Sequence, residues 1–326
     1  MGEEAKKIGD KLEGFGEKLF ERFGWGELTR DEQIKCNKST HKNENNGKKE
    51  THGVDIFHKY YDPYKNQNIG IITECKNYQW QSINQSSIQK WFNQLLDTIE
   101  CSQINESIGE YTNQCDGVNT GILLIHTNDG KYNEEEFRKY LNQLKYPSKK
   151  CTTNIFIASN KEIEKWDSMF EYIEKKFSNE KDKFGFYYPS ILQSNLEKFP
   201  HITLTQLYSS YIFADNETTK VSTSDDGETV TKTIHQKIIF SFDKIGDNSF
   251  KYLLSMFREL QLQSANEYIF CFYPESKEDV EQIKVKFKMY VETEFNNNKS
   301  EKSKVNMNKV KINILDNRRL SPVDTK

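Results

Sequence analysis

The sequence predicts an α/β protein: a mixed sheet flanked by helices, followed by a second C-terminal α/β domain. Three observations predict it. Short apolar runs alternate with segments whose apolar residues recur every three or four positions. The run Gly-Ile-Leu-Leu-Ile-His-Thr-Asn at 121–128 is continuous enough for a strand covered on both faces. The charged stretch 178–183 lacks apolar residues, and the pattern starts afresh beyond it. A first domain is therefore assigned to residues 1–177 and a second, of unassigned role, to 184–326; 326 residues suffice for two domains.

Taken in order, residues 4–23 read as a helix, because Ile8, Leu12, Phe15, Leu19 and Phe23 form one apolar stripe. Glu17 and Glu21 lie four apart on its other face. The stretch 35–52 is rich in Asn and Lys, has no apolar residue after Cys36, and reads as a loop. It is either a solvated insertion or a basic loop that reaches phosphates. Two short strands follow within 53–76, separated by a turn punctuated by Asp62-Pro63. The place of Asp62 in that turn argues against metal binding. His52 and His58 flank the first strand and read as surface or structural histidines.

A helix over 86–100 carries Ile88, Trp91, Phe92, Leu95, Leu96 and Ile99 on one face, with Gln89 and Asn93 on the other. Helix 134–144, strand 154–158 and helix 162–177 complete the first domain. In the second, 202–213 reads as a strand, 214–231 as a long hairpin or loop, and 234–242 as a strand. Helix 250–262, strand 268–273, helix 277–295 and strand 310–315 follow.

Composition excludes several classes. The net charge is −3, so any nucleic-acid surface is a local patch rather than a global basic field. No apolar run is long enough to span a membrane, and the charged start of the chain is not a signal peptide. Six cysteines (36, 75, 101, 115, 151, 271) show no C-x-x-C and no metal-ligand spacing. They read as free thiols in a reducing compartment, which points to the cytoplasm. P-loop, dinucleotide-binding, zinc-finger and helix-turn-helix patterns are not found.

Chemistry concentrates in one place. Asp55 sits in the first strand of the pair, and the second ends in Glu74-Cys75-Lys76. Side chains alternate along a strand, so Glu74 and Lys76 share a face and Cys75 takes the other. If the strands are neighbours, two carboxylates and an ammonium converge. Carboxylates suit a hard divalent cation, and a lysine beside bound water stabilises developing negative charge.

Asp55 followed nineteen residues on (74 − 55) by Glu74-x-Lys76 resembles the PD-(D/E)xK, or restriction-endonuclease-like, nuclease superfamily. Val54 stands where the motif's name has proline. The resemblance covers roughly residues 10–175. It implies a restriction-endonuclease-like mixed sheet and metal-dependent phosphodiester hydrolysis with Mg²⁺ (or Mn²⁺). Asp55, Glu74 and the carbonyl of Cys75 would bind the metal, with Glu17, or else Glu21, adding a carboxylate from the N-terminal helix. Lys76 would act on the attacking water and the phosphate, and Gln89 would support the site.

The function implied is a DNA endonuclease in defence against foreign DNA or phage. It acts as a homodimer or with an operon-encoded partner protein, without a membrane. The competing reading is an inactive nuclease-fold subunit that binds nucleic acid or assembles a defence complex. A third is chance occurrence of acid-x-Lys in an unrelated α/β protein.

Overall fold

In the computed structural model, the described residues are 18–43, 45–147, 152–179, 182–188, 198–223, 229–260, 265–297 and 309–317. They fall into two compact units, the first ending at Glu164 and the second beginning at Lys165.

The first unit is built on a five-stranded sheet in the order β1 (Gly26–Lys35), β2 (Thr51–Asp62), β3 (Gln67–Tyr78), β4 (Gly117–Thr127), β5 (Asn154–Ala158). β1, β2 and β3 pair antiparallel, while β3, β4 and β5 pair parallel, so the sheet is mixed as expected. The β2–β3 hairpin needs only a short turn. In it the Asp62 carboxylate accepts from the backbone N–H groups of Tyr64 (3.0 Å) and Lys65 (3.2 Å). The parallel β3–β4 step needs a crossover, and α1 (Gln85–Ser102) supplies it.

A reciprocal cap starts α1: Ser87 N–H donates to Asn84 Oδ1 (3.0 Å), and Asn84 N–H donates to Ser87 Oγ (2.9 Å). The apolar face of α1 then packs on the sheet, where Ile88, Phe92, Leu95 and Ile99 meet Ile72, Leu123 and Ile125 in one core. Gly121 makes this approach possible, because a Cβ there would lie 2.6 Å from Ile99 Cδ1. After a single helical turn at Gly109–Thr112, two longer helices follow, α2 (Glu134–Asn142) and α3 (Asn160–Lys176). The unit boundary falls within α3, upstream of the charged stretch 178–183.

Two features of this unit depart from the sequence expectation. β1 is an additional edge strand. Most of it is exposed and polar, so it lacks the apolar alternation that marks a half-buried strand. The 35–52 connection is also not merely a solvated loop. Lys42 and Lys48 bridge in a small antiparallel hairpin, and Asn43 Oδ1 accepts from Asn45 N–H (3.0 Å) and Gly47 N–H (2.8 Å) at its tip. Cys36, His41 and His52 on this connection are buried, in contact with Cys101 of α1. Of the expected helix 4–23, residues 18–23 are described as helical, and Leu19 and Phe23 are buried.

The second unit carries a six-stranded sheet. Its order is β11 (Val310–Ile314), β10 (Glu267–Phe272), β9 (Thr229–Ser241), β8 (Tyr211–Thr223), β6 (Gly185–Tyr187), β7 (Lys198–Phe199). β9, β10 and β11 are parallel and the remaining pairs antiparallel, giving a second mixed α/β layer. The Thr- and Ser-rich stretch after Tyr211 is one arm of the long β8–β9 hairpin. The expected strand 202–213 divides. Thr203 caps a single helical turn, Leu204–Leu207, and the strand starts only at Tyr211. The short β6 and β7 escape a sequence reading, because two or three residues show no period.

Replacing Gly121 by Val should cost about 1–3 kcal/mol by overpacking the α1–sheet contact. Urea unfolding checks this, with a lower midpoint and an unchanged slope expected.

Candidate active site

The site begins where the β2–β3 ladder ends. Pairing runs from Asp62–Gln67 to Ile56–Thr73. Phe57 and Ile72 are partners, so their side chains share a face. Two residues along each strand, Asp55 and Glu74 emerge on that same face, and Lys76 follows Glu74. The face is the one that α1 covers, since Phe57 and Ile72 lie in the core beneath it.

At Asp55 a side-chain bond follows the last backbone pair. The N–H of Cys75 donates to Asp55 Oδ2 at 2.7 Å. A residue's N–H and C=O project to the same edge of its strand, so the Cys75 carbonyl also projects toward Asp55. On the opposite edge of β2 the ladder with β1 shifts register between Glu27 and Thr29 and is in register at the level of Asp55. Arg30 pairs with Ile56 and Glu32 with Val54, while Asp31 between them has φ 52°. Asp tolerates this left-handed conformation better than most residues.

Glu74 is 9% exposed and forms an ion pair with the Lys76 ammonium. Its carboxyl is nonetheless held above the usual carboxylate range. Burial is the main cause, the negative charge of Asp55 adds to it, and Lys76 and Lys49 oppose it. Burial alone would lower the Lys76 ammonium, but Glu74 and Asp55 together outweigh it and hold it above its usual value. Glu74 thus responds chiefly to its burial, and Lys76 to the two carboxylates beside it. The donors at hand are carboxylate and carbonyl oxygens, the set a hard divalent cation takes. The residues present thus fit such an ion, which Asp55, Glu74 and the Cys75 carbonyl could hold.

The other sequence candidates divide. Glu17 lies outside the described residues, and Glu21 is exposed. The structure does not bring Gln89 into this cluster. Its side-chain NH₂ donates to the Lys145 carbonyl (2.9 Å) and to Asn93 Oδ1 (3.0 Å), and its Oε1 accepts from Lys145 N–H (2.8 Å). Gln89 therefore clamps the segment after α2 onto α1. Only the distant backbone of Lys145 reveals this, and periodicity on α1 cannot. Asp62 sits in its turn, as its sequence position implies. His58 is buried against Phe20 and Trp25, and burial pulls its imidazole down to about 4, so it is neutral at physiological pH. Lys49, one of several lysines on the 35–52 connection, acts electrostatically on Glu74. The basic character of that stretch was the one sequence signal for it.

Residues 1–162 match a family model described as the PD-(D/E)XK nuclease domain of the GAPS4 protein. The chain carries an N-terminal PD-(D/E)XK nuclease domain. No curated protein and no solved structure matches the chain. PD-(D/E)XK nucleases typically use divalent metals, which agrees with the oxygen donor set around Asp55 and Glu74. Among the described residues no helix is long and apolar enough to cross a membrane.

Metal affinity should depend on pH in a defined direction. A cation needs the ionised carboxylate, so Mn²⁺ binding weakens as pH falls through the pKa of Glu74, which lies above the ordinary 4.5. Lys76 stays protonated throughout that range. Calorimetric titration of Mn²⁺ at several pH values should show affinity falling already under mildly acidic conditions, and no such phase in Glu74→Gln.

Proposed function

We propose that the nuclease domain is a metal-dependent deoxyribonuclease, an endonuclease acting in defence against foreign DNA or phage. The observation that carries the reading is the convergence of Asp55, Glu74 and Lys76 on one face at the end of the β2–β3 ladder, with Asp55 fixed by Cys75 N–H.

Each residue has a distinct task in this account. Asp55, Glu74 and the Cys75 carbonyl hold Mg²⁺ or Mn²⁺. When bound, the ion supplies a water of lowered pKa and offsets charge on the phosphate. Cys75 N–H keeps one Asp55 oxygen in place, so that the carboxylate needs little reorganisation on binding. Lys76 carries a proton throughout and sits beside the Glu74 carboxylate. From there its ammonium orients the attacking water and stabilises the pentavalent phosphate as charge develops. Lys49 adds positive charge on the approach to the site and so favours the nucleic-acid backbone.

The family description supports nuclease chemistry, and the name GAPS4 in it supports a defence setting. DNA as the substrate and the cytoplasm as the location are the simplest setting for such an enzyme. A homodimer would place two sites on two strands, and an operon-encoded partner protein would gate activity that must spare host DNA. The second α/β unit is available for either role.

Cleavage of double-stranded DNA, single-stranded DNA and RNA should be compared with and without Mg²⁺. DNA cleavage that requires the metal is expected, with Lys76→Ala reducing the rate by about 10²–10³-fold. Undiminished cleavage by Lys76→Ala would remove it from the mechanism. Lys49→Gln should weaken DNA binding without abolishing it, and lower the salt dependence of affinity by about one unit of slope.

A further inference from the structure

The 35–52 connection presents a physical problem. From Asn37 to Glu50 it contains no apolar residue, so hydrophobic burial cannot hold it to the domain. Yet Cys36, His41 and His52 are 6%, 2% and 1% exposed, and they meet Cys101 of α1, which is fully buried. Cys36, His41 and His52 lie within one short stretch, but Cys101 follows forty-nine residues after His52 (101 − 52), which is why no ligand spacing is legible there.

The ligating atoms of the four face one another. Cys36 Sγ lies 3.5 Å from His41 Nδ1, and Cys101 Sγ also lies 3.5 Å from it. His41 Nδ1 is 3.3 Å from His52 Nε2, and the two sulfurs are 4.0 Å apart. Zinc bonds of about 2.3 Å to sulfur and about 2.0–2.1 Å to nitrogen fix the edges of a tetrahedron. Those edges are about 3.8 Å for two sulfurs, about 3.3 Å for two nitrogens and about 3.6 Å for a mixed pair. The observed separations follow that order closely. A disulfide does not explain them, since its sulfurs would be about 2.05 Å apart.

The surroundings fit as well. His41 Nε2 lies 3.1 Å from Glu100 and 3.4 Å from Asp97, so a proton there is held by carboxylates and Nδ1 carries its lone pair toward the cluster. Glu100 is itself fixed by Lys38 Nζ at 3.0 Å. The backbone N–H of Asn37 donates to the Cys101 sulfur. Two thiolates and two neutral imidazoles around a dication leave the buried site without net charge.

We propose that Cys36, His41, His52 and Cys101 bind one structural zinc ion that staples the β1–β2 connection to α1. The site is separate in chemistry from the oxygen donors around Asp55 and stands whether or not the nuclease reading holds. Its consequence for the domain is positional. His52 lies three residues before Asp55 on β2, and the Lys49 N–H donates to the His41 carbonyl (3.1 Å). The ion thus fixes both the start of the strand that carries Asp55 and the hairpin that carries Lys49.

The test is metal analysis of the full-length chain, purified from zinc-supplemented cells without a metal-chelate column. About one zinc per chain is expected. It should be retained in excess Mg²⁺ and in the Asp55→Ala/Glu74→Ala and Cys271→Ser variants, and lost in Cys36→Ser/Cys101→Ser. Replacement by Co²⁺ should give tetrahedral d–d bands and a thiolate-to-metal charge-transfer band. If the double cysteine variant does not fold, the zinc content and cobalt spectrum of the wild-type chain decide on their own. A folded wild-type chain without zinc would overturn the proposal. So would a cobalt spectrum without thiolate bands, or zinc that disappears with Asp55 and Glu74.

Discussion

The nuclease domain depends on one hydrogen bond at one place, from Cys75 N–H to Asp55 Oδ2, where the β2–β3 ladder stops. Had backbone pairing continued, Cys75 would have bonded to the backbone of β2, and its carbonyl edge would have been used up. Because pairing ends, a carboxylate takes the donor, and the strand edge turns toward it. Strand alternation then brings Glu74 and Lys76 to the same side without further adjustment. The cost is a carboxylate taken out of water beside a second one: burial raises the Glu74 carboxyl, Asp55 adds to that, and Lys76 offsets part of it. In the proposed mechanism a cation resolves that imbalance.

How much of this was legible follows from where each signal resides. β3, α1 and β4 read clearly because burial imposes period: a continuous apolar run in β4, and a three-to-four spacing along α1. Asp55, Glu74 and Lys76 were legible because alternation on adjacent strands is a local rule. β1 was not, since an exposed edge strand needs no apolar face and its residues are mostly polar. Gln89 shows the converse failure. Its face on α1 was read correctly, but its hydrogen bonds go to the backbone of Lys145, fifty-six residues away.

The Asn- and Lys-rich connection was the least legible part, and for an instructive reason. Its composition is that of a solvated loop, and at its tip it is one: Asn43 closes a polar turn and Asn46 takes a left-handed φ of 59°. What distinguishes it are three residues, Cys36, His41 and His52, whose partner Cys101 lies on the far side of β2 and β3 in sequence. A polar segment without apolar anchors can be ordered by coordination instead of burial, and composition does not record that alternative. The two proposed ions therefore have different tasks. The soft nitrogen and sulfur cluster would hold the framework, and the oxygen cluster would carry the chemistry.

In the proposed mechanism Asp55, Glu74 and the Cys75 carbonyl share one divalent cation at the end of the β2–β3 ladder. Crystals of the full-length chain grown with Mn²⁺ and measured for anomalous scattering test it directly. A manganese peak bonded to one oxygen of each of the three groups is expected, at about 2.0–2.6 Å as for hard cations. A well-ordered site with these side chains in place but manganese bound elsewhere, or not at all, would rule out this shared cation.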